Sequence, residues 1–256
     1  MSFQTLPRTV AMFGSTGGTG IAALKHALAN GSHVNALVRT PAKLSDLLAE
    51  YPNTLHLTQA DMSSLPDIKR TLIDPLTKNA VPFIISSLGM NAVQSGIKLK
   101  FEGSHTLCYD GALAIVNALQ ELQNEGLVPF QPRIVLLSTT GISKMGRDVP
   151  VVMLPMYNWM LQIPHEDKEK MESLMIYGAG RDRRWVMIRP SFLVENPAKG
   201  LAAIRSSCEV PGLSKKEQEP VAMGYAISKE DVGQWIVERL VKEDGVKFDN
   251  KMVSLT

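Results

Sequence analysis

The sequence predicts an α/β chain, doubly wound about a mainly parallel sheet, and three observations carry that prediction. Short apolar runs alternate with amphipathic stretches of helical period from residue 9 to residue 255. A glycine-rich turn, Gly14-Ser15-Thr16-Gly17-Gly18-Thr19-Gly20, joins the first apolar run to the first amphipathic stretch. No internal repeat, low-complexity tract or long linker divides the 256 residues, so one domain over 1–256 is expected. Regular alternation of strand and helix implies right-handed crossovers and parallel pairing.

The first unit covers residues 9–39. Thr9-Val10-Ala11-Met12-Phe13 reads as a strand, and 21–30 as a helix with Ile21, Leu24 and Leu28 on one face. A second strand over 33–38 ends on Arg39. Gly14 lets the chain turn sharply off the strand, Gly17 leaves its backbone open to a phosphate, and Gly20 lets the helix sit close to the sheet. Freed N–H groups at the helix start, with the positive end of its dipole, face the anion. A glycine-rich turn with no ligand is the alternative reading.

The glycines are spaced G-x-x-G-x-x-G. With Met12-Phe13 before them and Ala36-Leu37-Val38-Arg39-Thr40-Pro41-Ala42-Lys43 after them, the unit resembles the NAD(P)H-binding atypical short-chain dehydrogenases. That group includes NmrA-like proteins and the flavin/biliverdin reductase relatives. The resemblance implies a Rossmann fold and a nicotinamide cofactor, usually NADP(H).

The remaining elements follow in order. Thr40 caps and Pro41 opens a helix through Leu44, Leu47 and Leu48 that ends before Pro52. A third strand spans 54–58, and a helix starting at Ser63 or Ser64 continues through Ile68 and Leu72. The fourth strand, 81–86, closes on Ser86-Ser87-Leu88-Gly89. Residues 91–103, polar and glycine-containing, read as a loop over the carboxyl edge of the sheet. A long helix over 105–124 precedes a fifth strand, 133–137, which ends in Ser138-Thr139-Thr140-Gly141. A helix over 165–178 leads to the sixth strand, 185–188, ending Arg189-Pro190-Ser191. Ser228, with Asp231 three residues on, opens a last helix to Val241, and 251–255 adds an edge strand. The expected strand order is 3-2-1-4-5-6 plus that edge.

Two stretches, 142–165 and 192–227, are less regular and are expected to form the substrate side. The first interleaves Met145, Met153, Met156, Trp159 and Met160 with prolines. Adaptable thioethers suit a wall for an apolar ligand, and packing of the sheet end is the other reading.

Composition excludes other classes. A hydrophobic fraction of 45% supplies a substantial core, and a net charge of +2 gives no general pull toward nucleic acid or membrane. The first eight residues lack a long apolar core and no later run approaches a membrane span, so a soluble, cytoplasmic protein is expected. Cys108 and Cys208 are too few for a disulfide framework and lack metal-ligand spacing, so no metal is expected.

Arg39 decides the cofactor. An acidic residue at the end of the second strand suits the ribose hydroxyls of NAD, whereas a cation suits the extra phosphate of NADP. Arg39 offers a planar donor fork, with Lys43 one helical turn further on; a solvated lysine is the alternative for Lys43. The resemblance adds Asp61 and Met62 at the adenine end, with Ala60 standing where the family has glycine, and a solvated loop aspartate is the alternative. It also lays Ser87, Leu88 and Gly89 along the ribose and nicotinamide.

The main branch of the family pairs a serine after the fifth strand with a tyrosine and a lysine four residues later. Ser138, Thr139 and Thr140 supply hydroxyls there, and Tyr157 lies downstream, but Leu161 breaks the Tyr-x-x-x-Lys signature. The catalytic candidates are Ser138, Thr139, Tyr157, His165 and Lys168. His165 opens a helix and can shuttle a proton, or can lie on the surface; Lys168 is either a ligand of the nicotinamide ribose or one of several solvated charges in Glu166-Asp167-Lys168-Glu169-Lys170. Hydride transfer itself needs little beyond a placed nicotinamide and acceptor. The expected function is an NADPH-dependent oxidoreductase acting on a small, largely apolar metabolite, aromatic or quinone-like. The alternatives are an NADP(H)-sensing regulator of NmrA type and a nucleotide-bound enzyme of redox-neutral rearrangement.

Overall fold

A computed structural model describes residues 8–95 and 98–256. The first half of the chain alternates β1 (Thr9–Phe13), α1 (Gly18–Ala29), β2 (His33–Val38), α2 (Ser45–Glu50), β3 (Leu55–Gln59), α3 (Leu65–Leu72) and β4 (Phe83–Ser86). A hairpin of β5 (Asn91–Ser95) and β6 (Lys98–Glu102) follows, then α4 (Leu107–Asn124), β7 (Arg133–Leu137), α5 (Leu154–Met160) and α6 (Gln162–Tyr177). The last part holds β8 (Arg184–Pro190), β9 (Phe192–Val194), β10 (Ser206–Glu209), β11 (Ala226–Ser228), α7 (Lys229–Ile236) and β12 (Lys251–Leu255).

Eight of these strands form one sheet in the order β10-β12-β8-β7-β4-β1-β2-β3. Read from its far edge, β3-β2-β1-β4-β7-β8 is the expected 3-2-1-4-5-6 order, parallel throughout. The central strands are buried on both sides, which is why they read as unbroken apolar runs. Val10 and Met12 pack toward Leu24 of α1 and Val232 of α7, while Ala11 and Phe13 pack toward Ile68 of α3 and Ile115 of α4. Two apolar layers result, one on each face.

α1 and α7 lie side by side and point the same way. A Cβ at Gly233 would stand 2.6 Å from Ala22 Cβ, and Asn30 near the end of α1 donates to Glu238 at 2.8 Å. Ser228 caps α7 as expected: its Oγ accepts from Asp231 N at 2.9 Å.

Several boundaries differ from the sequence reading. Residues 91–103 are not a plain loop, because β5 and β6 pair antiparallel; positions 96 and 97 lie outside the described residues. Thr40 makes no side-chain cap, and Pro41 opens a 3₁₀ turn, Pro41–Leu44, before α2. α6 begins at Gln162, so His165 lies within the helix and not at its first residue. β12 is not the sheet edge: it pairs parallel with β8 on one side and antiparallel with β10 on the other. β10 escaped notice because Ser206-Ser207-Cys208-Glu209 has no apolar run of its own. Among the described residues no helix is long and apolar enough to cross a membrane.

Candidate active site

The sheet order reverses between β1 and β4, and the crevice outside their carboxyl ends is where a parallel sheet of this kind receives ligands. The glycine turn lies there. Gly14 has φ +80°, and a Cβ on it would stand 2.8 Å from the Ser87 carbonyl group. A Cβ on Gly20 would overlap the Gly14 carbonyl oxygen and Ser87 Oγ. These two glycines therefore serve close packing between the turn, α1 and the end of β4. Gly17 is different: its only close neighbour would be Gly14 O at 3.6 Å, an ordinary contact, and both it and Thr16 are exposed. The protein leaves that face open.

Polar satisfaction at the turn is incomplete. Ser15 and Thr19 are buried, and neither hydroxyl has a hydrogen-bond partner among the described residues. No acidic side chain occupies the first turn of α1, so its positive end is not neutralised from within the helix. Donors without acceptors at a bare helix N-terminus fit an anionic ligand such as a pyrophosphate. Ser87 closes the turn from the β4 side, its N–H donating to Phe13 O at 2.9 Å and its Oγ to Gly14 O at 3.0 Å.

At the other end of the crevice, Arg39 leaves the tip of β2 exposed, near enough to Asp61 for its charge to act on that carboxyl. Asp61 leaves β3 beside it. Ser63 donates to its carboxylate from N (2.8 Å) and Oγ (2.5 Å), and these bonds, with the Arg39 charge, hold the carboxyl below its usual range. Asp61 is thus tied into its own turn, with both groups at one edge of the site. Lys43 is exposed on the 3₁₀ turn that follows. Met62 and Leu88 meet over Gly111 of α4, where a Cβ would overlap Leu88 Cδ1 and stand 3.8 Å from Met62 Cε; Gly89 faces open space.

The catalytic candidates gather at the ends of β7 and β8. Lys168 is buried, contrary to its reading as a solvated charge, and its ammonium donates to Leu88 O at 2.9 Å and to Leu137 O. It clamps the end of β4 to the end of β7. Its neighbour Asp167 is also buried, accepting Cys108 N and Tyr109 N at 2.9 Å each and so capping α4 from a distance. Within the charge run only Glu166, Glu169 and Lys170 are exposed. Lys168 shares its buried helical stripe with Met171 and Met175.

Ser138 Oγ donates to Glu172 Oε1 at 2.6 Å, and Glu172 holds Arg189 through Nε (2.9 Å) and Nη2 (2.5 Å). Arg189 reaches Glu209 at 2.7 Å, which also accepts from Ser143 at 2.6 Å. Burial works against the guanidinium charge, yet the Glu172 and Glu209 contacts hold its pKa above the ordinary range. Sequence reasoning missed this network because its members lie on four separate segments. Within it, the Ser138 hydroxyl is committed to Glu172. Thr139 Oγ1 is likewise turned to Thr140 O at 3.0 Å.

Thr140, Tyr157 and His165 form the remaining cluster. Thr140 Oγ1 lies 3.3 Å from Tyr157 OH and donates to Pro190 O at 3.1 Å. The Tyr157 and His165 rings meet at 5.5 Å, both against Gly141, where a Cβ would stand 2.6 Å from Tyr157 and 2.9 Å from His165. Gly141 has φ +93° and donates its N–H to both oxygens of buried Asp148 at 3.0 Å, which fixes the loop below the two rings. Burial pushes the phenol of Tyr157 up, with the Thr140 bond opposing, so it keeps its proton at neutral pH. Burial alone pushes His165 down to about 4, and its Nε2 has no partner among the described residues. The arrangement offers a protonated phenol and a neutral imidazole, not an imidazolium.

Comparison with known proteins bears on the family and the fold. The model of a family described as NAD(P)H-binding matches residues 14–243. "Reductase pytE" of Aspergillus terreus is 36% identical, covering 97% of this chain and 97% of its own. "Oxidase pynE" of Aspergillus niger is 28% identical over 97% and 98%, and "Oxidoreductase nsrR" of Aspergillus novofumigatus 27% over 80% and 74%. Among solved structures, a short-chain dehydrogenase/reductase from Veillonella parvula in complex with NADP aligns with TM-score 0.69 at 11% identity, over 97% of this chain and 94% of that one. At that identity the likeness speaks for the fold.

Proposed function

We propose that this chain, which belongs to the NAD(P)H-binding family of atypical short-chain dehydrogenases, transfers hydride between NADPH and a small, largely apolar metabolite. The family and the relatives it is similar to make it an NAD(P)H-dependent oxidoreductase. The preference for NADPH rests on one observation: an exposed arginine, and no acidic residue, ends β2.

The nicotinamide supplies the hydride when bound. The turn Gly14–Gly20 holds the pyrophosphate, Arg39 and Lys43 meet the 2′-phosphate, Asp61 and Met62 flank the adenine, and Ser87, Leu88 and Gly89 line the ribose. Tyr157 gives or takes the proton, oriented by Thr140. His165, neutral, hydrogen-bonds the acceptor through Nε2. Lys168 ties the end of β4 to the end of β7 and would act as a positioning residue for the groups bound over them. Exposed Val151, Val152 and Trp159 in one substrate-side stretch, with Phe192 and Tyr225 in the other, support an apolar, aromatic or quinone-like acceptor.

The test is a nucleotide titration followed by NADPH-absorbance assays with quinones, flavins and small ketones. A hydrogen bond to a charged group is worth about 1.5–3 kcal/mol, so Arg39→Ala weakens NADPH roughly 10- to 100-fold and leaves NADH nearly unchanged. Equal loss of both removes the NADPH assignment. Commitment of the Ser138 hydroxyl to Glu172 favours a second reading, a nucleotide sensor of NmrA type. Tight binding with no acceptor reduced supports the sensor, and product formed without NADPH consumption supports a redox-neutral rearrangement.

A further inference from the structure

We infer that Lys229 is a further cofactor-binding residue, able to exchange its contact with Glu195 for the pyrophosphate beside Gly18. The inference rests on the cofactor reading above and adds a residue from the opposite end of the chain.

Lys229 is the first residue of α7, directly after the Ser228 cap. Its side chain does not extend into solvent but lies along the start of α1. A Cβ built on Gly18 would overlap Lys229 Cδ and stand 3.0 Å from both Cε and Nζ. An ammonium group is thus held against the first residue of α1, at the exposed face of the glycine turn. Because α1 and α7 run in the same direction, their positive ends face the same space. α7 carries its own acids there, Glu230 and Asp231, and Asp231 is fully used by Ser228 and by the N–H groups of Lys199 and Gly200. α1 carries none in its first turn. The bare end is therefore the one that Lys229 overhangs.

The ammonium pairs with the carboxylate of Glu195, just after β9. That pair is easily given up. The Glu195 side chain is 77% exposed and that of Lys229 29%, and ion pairs so open to water contribute little. A diphosphate at the start of α1 offers Lys229 a stronger acceptor at the place where its chain already lies. The unpartnered hydroxyls of Ser15 and Thr19 in the same turn are a separate sign that an acceptor belongs there. A diphosphate is common to NADH and NADPH, so this contact differs in kind from that of Arg39, which concerns the 2′-phosphate alone.

The experiment is a fluorescence titration of the native protein, Lys229→Ala, Lys229→Arg and Glu195→Gln with NADPH and with NADH, each fold checked by thermal unfolding. Lys229→Ala is expected to weaken both nucleotides by the same factor, roughly 3- to 30-fold. Lys229→Arg keeps the charge and most of the affinity. Glu195→Gln removes the competing carboxylate and tightens both, roughly two- to fivefold. If native protein binds and Lys229→Ala binds equally well, the Lys229 assignment is wrong while the cofactor reading stands. Loss of NADPH alone overturns the pyrophosphate assignment. Failure of the native protein to bind either nucleotide overturns the cofactor reading and this inference together.

Discussion

Gly20→Ala separates packing from ligand binding in the glycine turn. In an isolated helix the change would stabilise by about 1 kcal/mol. Here the new Cβ overlaps Gly14 O and Ser87 Oγ, and neither gives way freely, because one is backbone and the other donates to it at 3.0 Å. Overpacking costs about 1–3 kcal/mol, and losing the Ser87 bond about 0.5–1.5 kcal/mol. The balance is a destabilisation of about 1–3 kcal/mol, or a melting temperature lower by about 3–10 °C for a chain of this size. Gly17→Ala is the control. Its backbone is extended, φ −87° and ψ 163°, and its Cβ meets only Gly14 O at 3.6 Å, so the fold accommodates it. The methyl group instead projects into the open face where, on the proposed function, the phosphates would approach. Thermal unfolding and NADPH titration of the two variants should give opposite profiles: Gly20→Ala loses stability first, Gly17→Ala affinity alone. A Gly20→Ala protein that melts at or above the native temperature would refute the close-packing argument.

Three further outcomes follow from the buried polar groups. The folded-state pKa of His165 is about 4 against an ordinary 6.5. Its contribution to stability is therefore complete above pH 6.5 and drains away as pH falls toward 4, by no more than about 3 kcal/mol. Urea unfolding across that window should lose this slope in His165→Phe, and identical pH profiles would contradict it. Lys168→Met strips donors from Leu88 O and Leu137 O and should cost about 1–3 kcal/mol; a variant of native stability with lost turnover would make Lys168 a reacting group instead of a clamp. Glu172→Gln leaves Arg189 with a single charged partner, Glu209, and should cost about 2–4 kcal/mol, read as a lower urea midpoint at unchanged slope.

Legibility from sequence followed how local each requirement is. Gly14, Gly17 and Gly20 lie in one turn, so the strand–turn–helix unit of β1 and α1 was legible from their spacing and the flanking strand. β1, β4 and β7 are buried on both faces and appear as apolar runs for that reason. Asp167 and Lys168 were obscured because a run of alternating charges looks alike in water and against a sheet. What distinguishes them is a partner 59 residues from Asp167 and another 80 residues from Lys168. The Glu172–Arg189–Glu209 network is likewise a product of the sheet order. Tyr157 and His165 were each visible, but their meeting over Gly141 depends on how α5 folds back onto α6, and no period in the sequence encodes that turn.

The place of β12 between β8 and β10 has a consequence for the order in which the molecule can be completed. β10 pairs only with β12, yet it leaves the ribosome long before residues 251–255 do. Until residues 251–255 have been made, β10 has no strand to pair with in this sheet. Glu209 sits on β10, so the Arg189–Glu209 contact is made across β12, which lies between β8 and β10. Closure of this flank of the sheet thus depends on the strand at 251–255. Damage to those five residues would strike β10 and β8, far from them in sequence, while leaving the pairings of β1, β2 and β4 around the glycine turn untouched.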